Sequence, residues 1–250
     1  MSTLVVDRPR AVRLPSTTRA SRDIHTTRLG DAAVQVDLSC ALGVVLVAWM
    51  FAAGLLPETD PGRSVAAYWA AGLVGALTIA GSLLLHELGH AIAARRAGLG
   101  VSHITLSFAG GTSEIIGVIR CAADELRIAV GGPLASVVTM LAAAVTHIVI
   151  VELAGPGLPA TLAALVAGAN LALVLLNAIP GLPFDGGRVL RATVWALTRR
   201  PEAATRLVPA IGRLLSDGMI GVTVLASAFG FVWIALWAGF LGFVVREKSS

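Results

Sequence analysis

The chain has 250 residues, of which 56% are hydrophobic and only 14% charged, with a mean hydropathy of +0.83. A soluble domain carries closer to a quarter charged residues, so this composition excludes an ordinary soluble enzyme and points to a chain that crosses a bilayer several times. The net charge of +4 and the pI near 10 do not argue for nucleic acid, because the arginines lie in loops beside apolar runs, where positive charge marks the cytoplasmic face.

Residues 1–36 are polar and carry Arg8, Arg10, Arg13, Arg19, Arg22 and Arg28 without hydrophobic periodicity. They read as a disordered basic cytoplasmic tail ahead of a six-span membrane core over 37–250. A cleaved signal peptide is not expected, since the charged stretch is too long and the next apolar run is long enough to span. Leu38–Leu56 is the first expected span, and Pro57–Arg63 is a turn-rich loop. The second runs from Val65 to about Ala94, roughly 45 Å as a helix, and must tilt or protrude. Arg95 and Arg96 mark its inner end.

Leu99–Arg120 breaks the pattern. Gly100, Gly110, Gly111 and Gly117 punctuate β-branched alternation, which predicts a β-hairpin or small sheet after the second span. Such backbone near lipid must be covered by protein or line a wet cavity. Leu126–Leu153 is the third span and includes Gly131-Gly132-Pro133; Pro159–Ile179 is the fourth. The fourth ends in Asn177-Ala178-Ile179-Pro180-Gly181-Leu182-Pro183-Phe184-Asp185-Gly186-Gly187-Arg188, where proline and glycine break the helix at membrane depth. A short amphipathic helix follows over Arg188–Thr198, then a fifth span near Thr205–Ala226 and a sixth over Phe229–Val245. The expected class is an all-α polytopic membrane protein of about six transmembrane helices with one small sheet. Six spans put both termini on one side, and of 19 Lys and Arg only Arg63 then lies outside. That predicts cytoplasmic N- and C-termini in the plasma membrane. Cys40 and Cys121 form no C-x-x-C and are expected as free thiols.

His86-Glu87-Leu88-Gly89-His90 closes the second span. Two histidines four apart share a helix face and reach one metal ion, with the glutamate placed to handle water. Three ionisable groups at membrane depth are costly and normally functional. A catalytic zinc takes three protein ligands, so a third is needed at the same depth. Asp185 is returned there by the fourth span. It suits either a helix N-cap or a metal ligand, and the histidine motif favours the ligand. Two imidazoles and a carboxylate suit Zn2+, one per chain.

His86-Glu87-Leu88-Gly89-His90, the later Asn177-x-x-Pro-x-x-Pro-x-Asp185-Gly-Gly, and Gly131-Gly132-Pro133 between them resemble the site-2 proteases, which are intramembrane zinc metalloproteases of peptidase family M50. Phe108-Ala109-Gly110-Gly111 resembles that family's glycine-containing strand motif. The resemblance implies metal ligands His86, His90 and Asp185, a catalytic Glu87, and Asn177 as a second donor or substrate anchor, with an inter-helix hydrogen bond as the competing role for Asn177. Many members carry Asn shortly after the Gly-Pro of the third span, where this chain has Ala135-Ser136. A minimal form without PDZ or CBS modules is expected. The implied activity is hydrolysis within or near the transmembrane segment of single-span proteins such as anti-sigma factors or signalling precursors. The implied partners are that substrate, the lipid bilayer and a regulatory membrane protein, with no nucleic acid. The competing functions are a non-catalytic scaffold for transmembrane helices and a divalent-metal transporter using the same ligands. Asn170, His103, His147 and Glu114 are read as structural or solvated, with His103 a minor alternative ligand, and Asp217 is expected either near the inner boundary or facing a wet cavity.

Overall fold

The structure, a computed structural model, describes residues 23–29, 32–108, 110–181 and 183–249. Two strands open it, β1 (Asp23–Leu29) and β2 (Ala32–Asp37). They correct the expectation of a structureless stretch through residue 36; residues 1–22 lie outside the described part. Asp37 ends β2 and caps α1 (Leu38–Met50), its carboxylate accepting from the Ser39 amide at 2.7 Å. That bonding to Ser39 holds the Asp37 carboxyl below its usual range. A π-helical turn at Phe51–Leu55 and the short α2 (Leu56–Thr59) continue the same rod. α3 (Val65–Arg96) begins at Ser64, whose hydroxyl accepts from the Ala67 amide, and ends on Arg95 and Arg96, which suit the negative end of a helix.

β3 (Gly100–Ser107) and β4 (Gly110–Ile116) form the hairpin the glycine pattern predicts. The sheet has four strands in the order β1-β2-β3-β4. β2 runs parallel to β3, with Val34 opposite Ile104. A parallel pair needs a long crossover, and the helices from α1 to α3 supply it. Three helices follow: α4 (Ala122–Ala154), α5 (Leu158–Asn177) and α6 (Asp185–Thr198). The last two are α7 (Pro201–Ala228) and α8 (Val232–Ser249).

Among the described residues five helical stretches are long and apolar enough to cross a bilayer: Leu38–Thr59, Val65–Arg96, Ala122–Ala154, Leu158–Asn177 and Pro201–Ala228. The sixth apolar run is α8. Its apolar part, Val232–Val245, is about 21 Å at helix rise, short of a hydrocarbon core of roughly 30 Å. Arg246, Glu247 and Lys248 fill its last turns. α8 packs on α7, where Ser216 Oγ donates to the Gly242 carbonyl at 2.8 Å and Arg246 meets Asp217 at 2.7 Å. Asp217 is therefore half of an exposed ion pair and does not face a cavity in the bundle.

Lipid offers no hydrophobic drive for helix association, so packing rests on close backbone approach through small residues. At the α1–α3 contact, a Cβ on Gly72 would lie 2.6 Å from the Ala48 carbonyl oxygen. At the α3–α4 crossing the two backbones touch directly. A Cβ on Gly89 would lie 2.2 Å from the Gly131 oxygen, and one on Gly131 would lie 2.5 Å from the Gly89 oxygen. Below the crossing, Ala91, Ala94, Val101, Ile104 and Ile128 form a buried cluster that seats the sheet against α3 and α4.

Gly131→Val is expected to lower the thermal midpoint in detergent by overpacking, at a cost of about 1–3 kcal/mol or more. Gly168→Val, at a glycine with no atom within 4 Å of a built Cβ, is the comparison and is expected to stay near wild type. Equal midpoints for the two variants would show that the crossing does not depend on Gly131.

Candidate metal centre

His86 and His90 project from one face of α3 with ring centroids 4.9 Å apart and planes at 77°. Both are buried, at 3% and 5% exposure, despite their position in an apolar helix. A buried imidazole needs partners for both nitrogens, and α4 supplies one for each. His90 Nδ1 lies 2.7 Å from the Ile128 carbonyl, which can only accept, so Nδ1 carries the proton and Nε2 presents a lone pair. The Gly132 amide also approaches His90 Nδ1, at 3.3 Å, but a protonated Nδ1 cannot accept it, so the shorter contact decides the tautomer. Pro133 lacks the N–H that would bond the Ala129 carbonyl, which loosens α4 beside Ile128. His86 Nδ1 lies 2.9 Å from Ser136 Oγ, and Ser136 is fully buried.

Asp185 arrives from the other side. Ala178 ends α5, and the chain turns back through Gly181, whose amide donates to the Ile179 carbonyl at 2.8 Å. Gly186 is the residue that lets this turn close: a Cβ there would lie 2.4 Å from the Ile179 oxygen and 2.5 Å from the Ala178 oxygen. Phe184 is the residue before the first turn of α6, and no side chain caps that helix. Asp185 is thus not the N-cap; it is the first helical residue. Its Oδ2 lies 3.2 Å from His86 Nε2 and 3.1 Å from His90 Nε2.

The two Nε2 atoms are 3.2 Å apart, so the three donor atoms form a nearly equilateral triangle. A tetrahedral zinc with ligand bonds of about 2.0–2.2 Å sets its donors roughly 3.3–3.6 Å apart. The triangle is close to that size, and the donor set of two neutral imidazoles and one carboxylate is one zinc takes. Gly132 leaves the space for the ion. A Cβ on Gly132 would lie 2.2 Å from His90 Nε2 and 2.6 Å from His86 Nε2.

Glu87 is also buried, at 6% exposure, and turns toward the sheet. Ser113 of β4 donates to Glu87 Oε2 at 2.7 Å. Gly111, two residues before, allows β4 to pass over the carboxylate; a Cβ there would lie 2.4 Å from Glu87 Cγ and 2.7 Å from Oε1. This gives the glycine-containing strand motif a physical role, with Ala109 outside the described residues. Asn177 sits in the last turn of α5. Its amide donates to the Leu173 carbonyl one turn back in α5, at 3.0 Å, so it is tied within its own helix. Asn170 does the same toward Val166 and is buried, as a structural residue would be. His103 pairs with Glu114 at 2.9 Å on the sheet and takes no part in the metal group, and His147 Nδ1 meets the Ala160 carbonyl at 2.8 Å between α4 and α5.

A model for Peptidase family M50 matches residues 147–216, a stretch that includes Asp185. The putative zinc metalloprotease Rip3 of Mycobacterium tuberculosis is 32% identical over 214 residues, covering 83% of this chain and 54% of its own length. The putative zinc metalloprotease sll0528 of Synechocystis sp. is 31% identical over 201 residues, covering 80% of this chain and 47% of its own length. The chain therefore spans about half the length of the curated relatives it matches. In fold, the chain is similar to the site-2 protease from Methanocaldococcus jannaschii, with a TM-score of 0.55 and 23% identity, covering 90% of this chain and 96% of that one.

Gly132→Ala is expected to abolish stoichiometric zinc, because the added methyl would press on the Nε2 atoms of both His86 and His90. Ser136→Ala is expected to weaken zinc by about tenfold, the lower end of what loss of an outer-shell partner costs. Metal analysis and chelator competition on purified protein read both; full zinc in Gly132→Ala would refute the placement.

Proposed function

The chain belongs to peptidase family M50, the site-2 proteases, and from that premise we propose that it is an intramembrane zinc endopeptidase acting on single-span membrane proteins. The observation that carries the reading is the convergence of His86, His90 and Asp185 beside a buried Glu87 that a strand covers. Zinc held by the three ligands supplies Lewis acidity, which acidifies water and polarises a carbonyl. Glu87 takes the proton of the attacking water and returns it to the leaving amide nitrogen. Ser113 holds Oε2, which leaves Oε1, beneath Gly111, to carry that proton. A metal-transit site has no use for this base, and a helix-binding scaffold has none for the ligand triangle.

A transmembrane substrate hides its carbonyls in helical hydrogen bonds and must unwind before it is cut. β4 is an edge of the sheet and passes over Glu87. An unwound segment added along β4 would bring its backbone next to the base. β3 lies between β2 and β4 and has no free edge, so the capture strand is β4. The crowding of arginine at the Arg95–Arg96 end of α3 supports a cytoplasmic N-terminus and a site below the inner surface of the plasma membrane. Single-span substrates of the anti-sigma type and a regulatory membrane partner are part of this proposal.

Glu87→Gln is expected to keep near one zinc per chain while cleavage of a single-span substrate falls about 10²–10⁴-fold, the range for loss of an acid–base group. Zinc retained in both forms with neither cutting any of several substrates would overturn the protease reading in favour of scaffold or transport. Proline placed in turn at Thr112, Ser113 and Glu114 is expected to impair cleavage where the outward-facing N–H is removed; unchanged cleavage in all three rules out β4 as the capture strand.

A further inference from the structure

Glu125 is the one acidic residue among the described residues with no solvent exposure at all. It lies in α4 near the start of an apolar span, where an unpaired carboxylate would be very unfavourable. Its Oε1 receives Arg191 Nη2 at 2.6 Å and Arg188 Nε at 3.4 Å, both from α6. The reaction described above uses none of the three.

Their placement links them to the metal centre. The buried face of α4 carries Glu125, Ile128, Ala129, Gly132 and Ser136 in helical spacing. Ile128 and Ser136 hold the two histidines, and Gly132 borders their Nε2 atoms. α6 presents Asp185, Arg188 and Arg191 along the α4 contact. The helices run in opposite senses there. Gly132 and Asp185 meet at the histidines, and Glu125, about 10.5 Å back along α4, meets Arg191, about 9 Å along α6. The two spacings match, so the α4–α6 contact is closed by the metal ligands at one end and by an ion pair at the other.

α6 needs such a fastening. It is not a rigid continuation of α5, because the Pro180–Pro183 turn separates them. The turn and the close approach of Gly186 to the Ala178 and Ile179 carbonyls fix where α6 starts, and side-chain contacts farther along the helix hold its rotation about its own axis. A single helical residue turned by 100° takes Asp185 away from the histidines.

Resting on the metalloprotease reading, we propose that Glu125 is a positioning residue for the metal centre: through Arg188 and Arg191 it sets the rotation and depth of α6 and thereby places Asp185 against His86 and His90. Arginine is suited to this because its planar fork holds orientation as well as charge. Removing the carboxylate leaves two arginines facing a buried hole and lets α6 turn.

The test is zinc affinity, measured by chelator competition on full-length protein in detergent, alongside the thermal midpoint of the metal-free form. Glu125→Gln is expected to weaken zinc about 10–100-fold, the range for residues that orient ligands. Arg191→Gln, at a side chain 40% exposed, is expected to fold even if Glu125→Gln does not, and to weaken zinc in the same direction. The double variant is expected to bind no more weakly than the worse single, since both act through one contact. A midpoint that falls while zinc affinity stays within threefold of wild type in the variants that fold would overturn the proposal, because a merely structural pair stabilises both forms alike. Zinc binding undiminished in the His86→Ala variant would overturn the metal centre itself and this proposal with it.

Discussion

Direct backbone contact between α3 and α4 at Gly89 and Gly131 is the constraint on which the rest depends. It has a steric origin and a chemical effect. With no side chain between the two helices, the imidazoles of α3 reach polar groups on α4: the Ile128 carbonyl and the Ser136 hydroxyl. Those partners fix which nitrogen of His90 is protonated and hold both rings edge-on toward the space above Gly132. A crossing even one methyl wider would leave two buried imidazoles without partners, a worse outcome in lipid than in water.

The sheet solves a different problem. Helices in a bilayer satisfy their own backbone, so they offer nothing for an extended peptide to bind. Strands offer unpaired N–H and C=O groups, which lipid forbids unless they are covered. Here β1 and β2 cover one side of the β3–β4 hairpin and the α3–α4 core packs beneath it. Among the described residues β4 is the edge strand that lies next to Glu87.

Five of the six expected spans, the hairpin after α3 and the grouping of His86, His90 and Asp185 were legible because they rest on local pattern: long apolar runs, glycine with β-branched alternation, and histidines spaced at one helical turn. What was not legible depends on contacts distant in sequence. β2 finds β3 across 70 residues, as in the pairing of Gln35 with Thr105. Nothing in the polar stretch before Leu38 announces a strand partner that far on. Ser136 and Ser113 read as ordinary small residues until the fold sets one on His86 and the other on Glu87. Glu125 did leave a signal, a carboxylate just inside an apolar span with two arginines three residues apart later in the chain. Asn177 adds a local bond that the sequence did not show. Its position beside the proline break suggested chemistry, and its amide turned out to be bonded to its own helix.

The ligands are also spread out in time. His90 and Asp185 are separated by 95 residues, so at a synthesis rate of about 5–20 residues per second the third ligand leaves the ribosome roughly 5–20 s after the second. Until α6 has folded back onto α4, the nascent chain holds two histidines and a glutamate with no anionic partner at their centre. The membrane-inserting intermediate is therefore a weak metal site. The order of the motifs along the chain acts as a maturation delay: the metal centre closes only after α4 and α5 are in place and α6 has folded back.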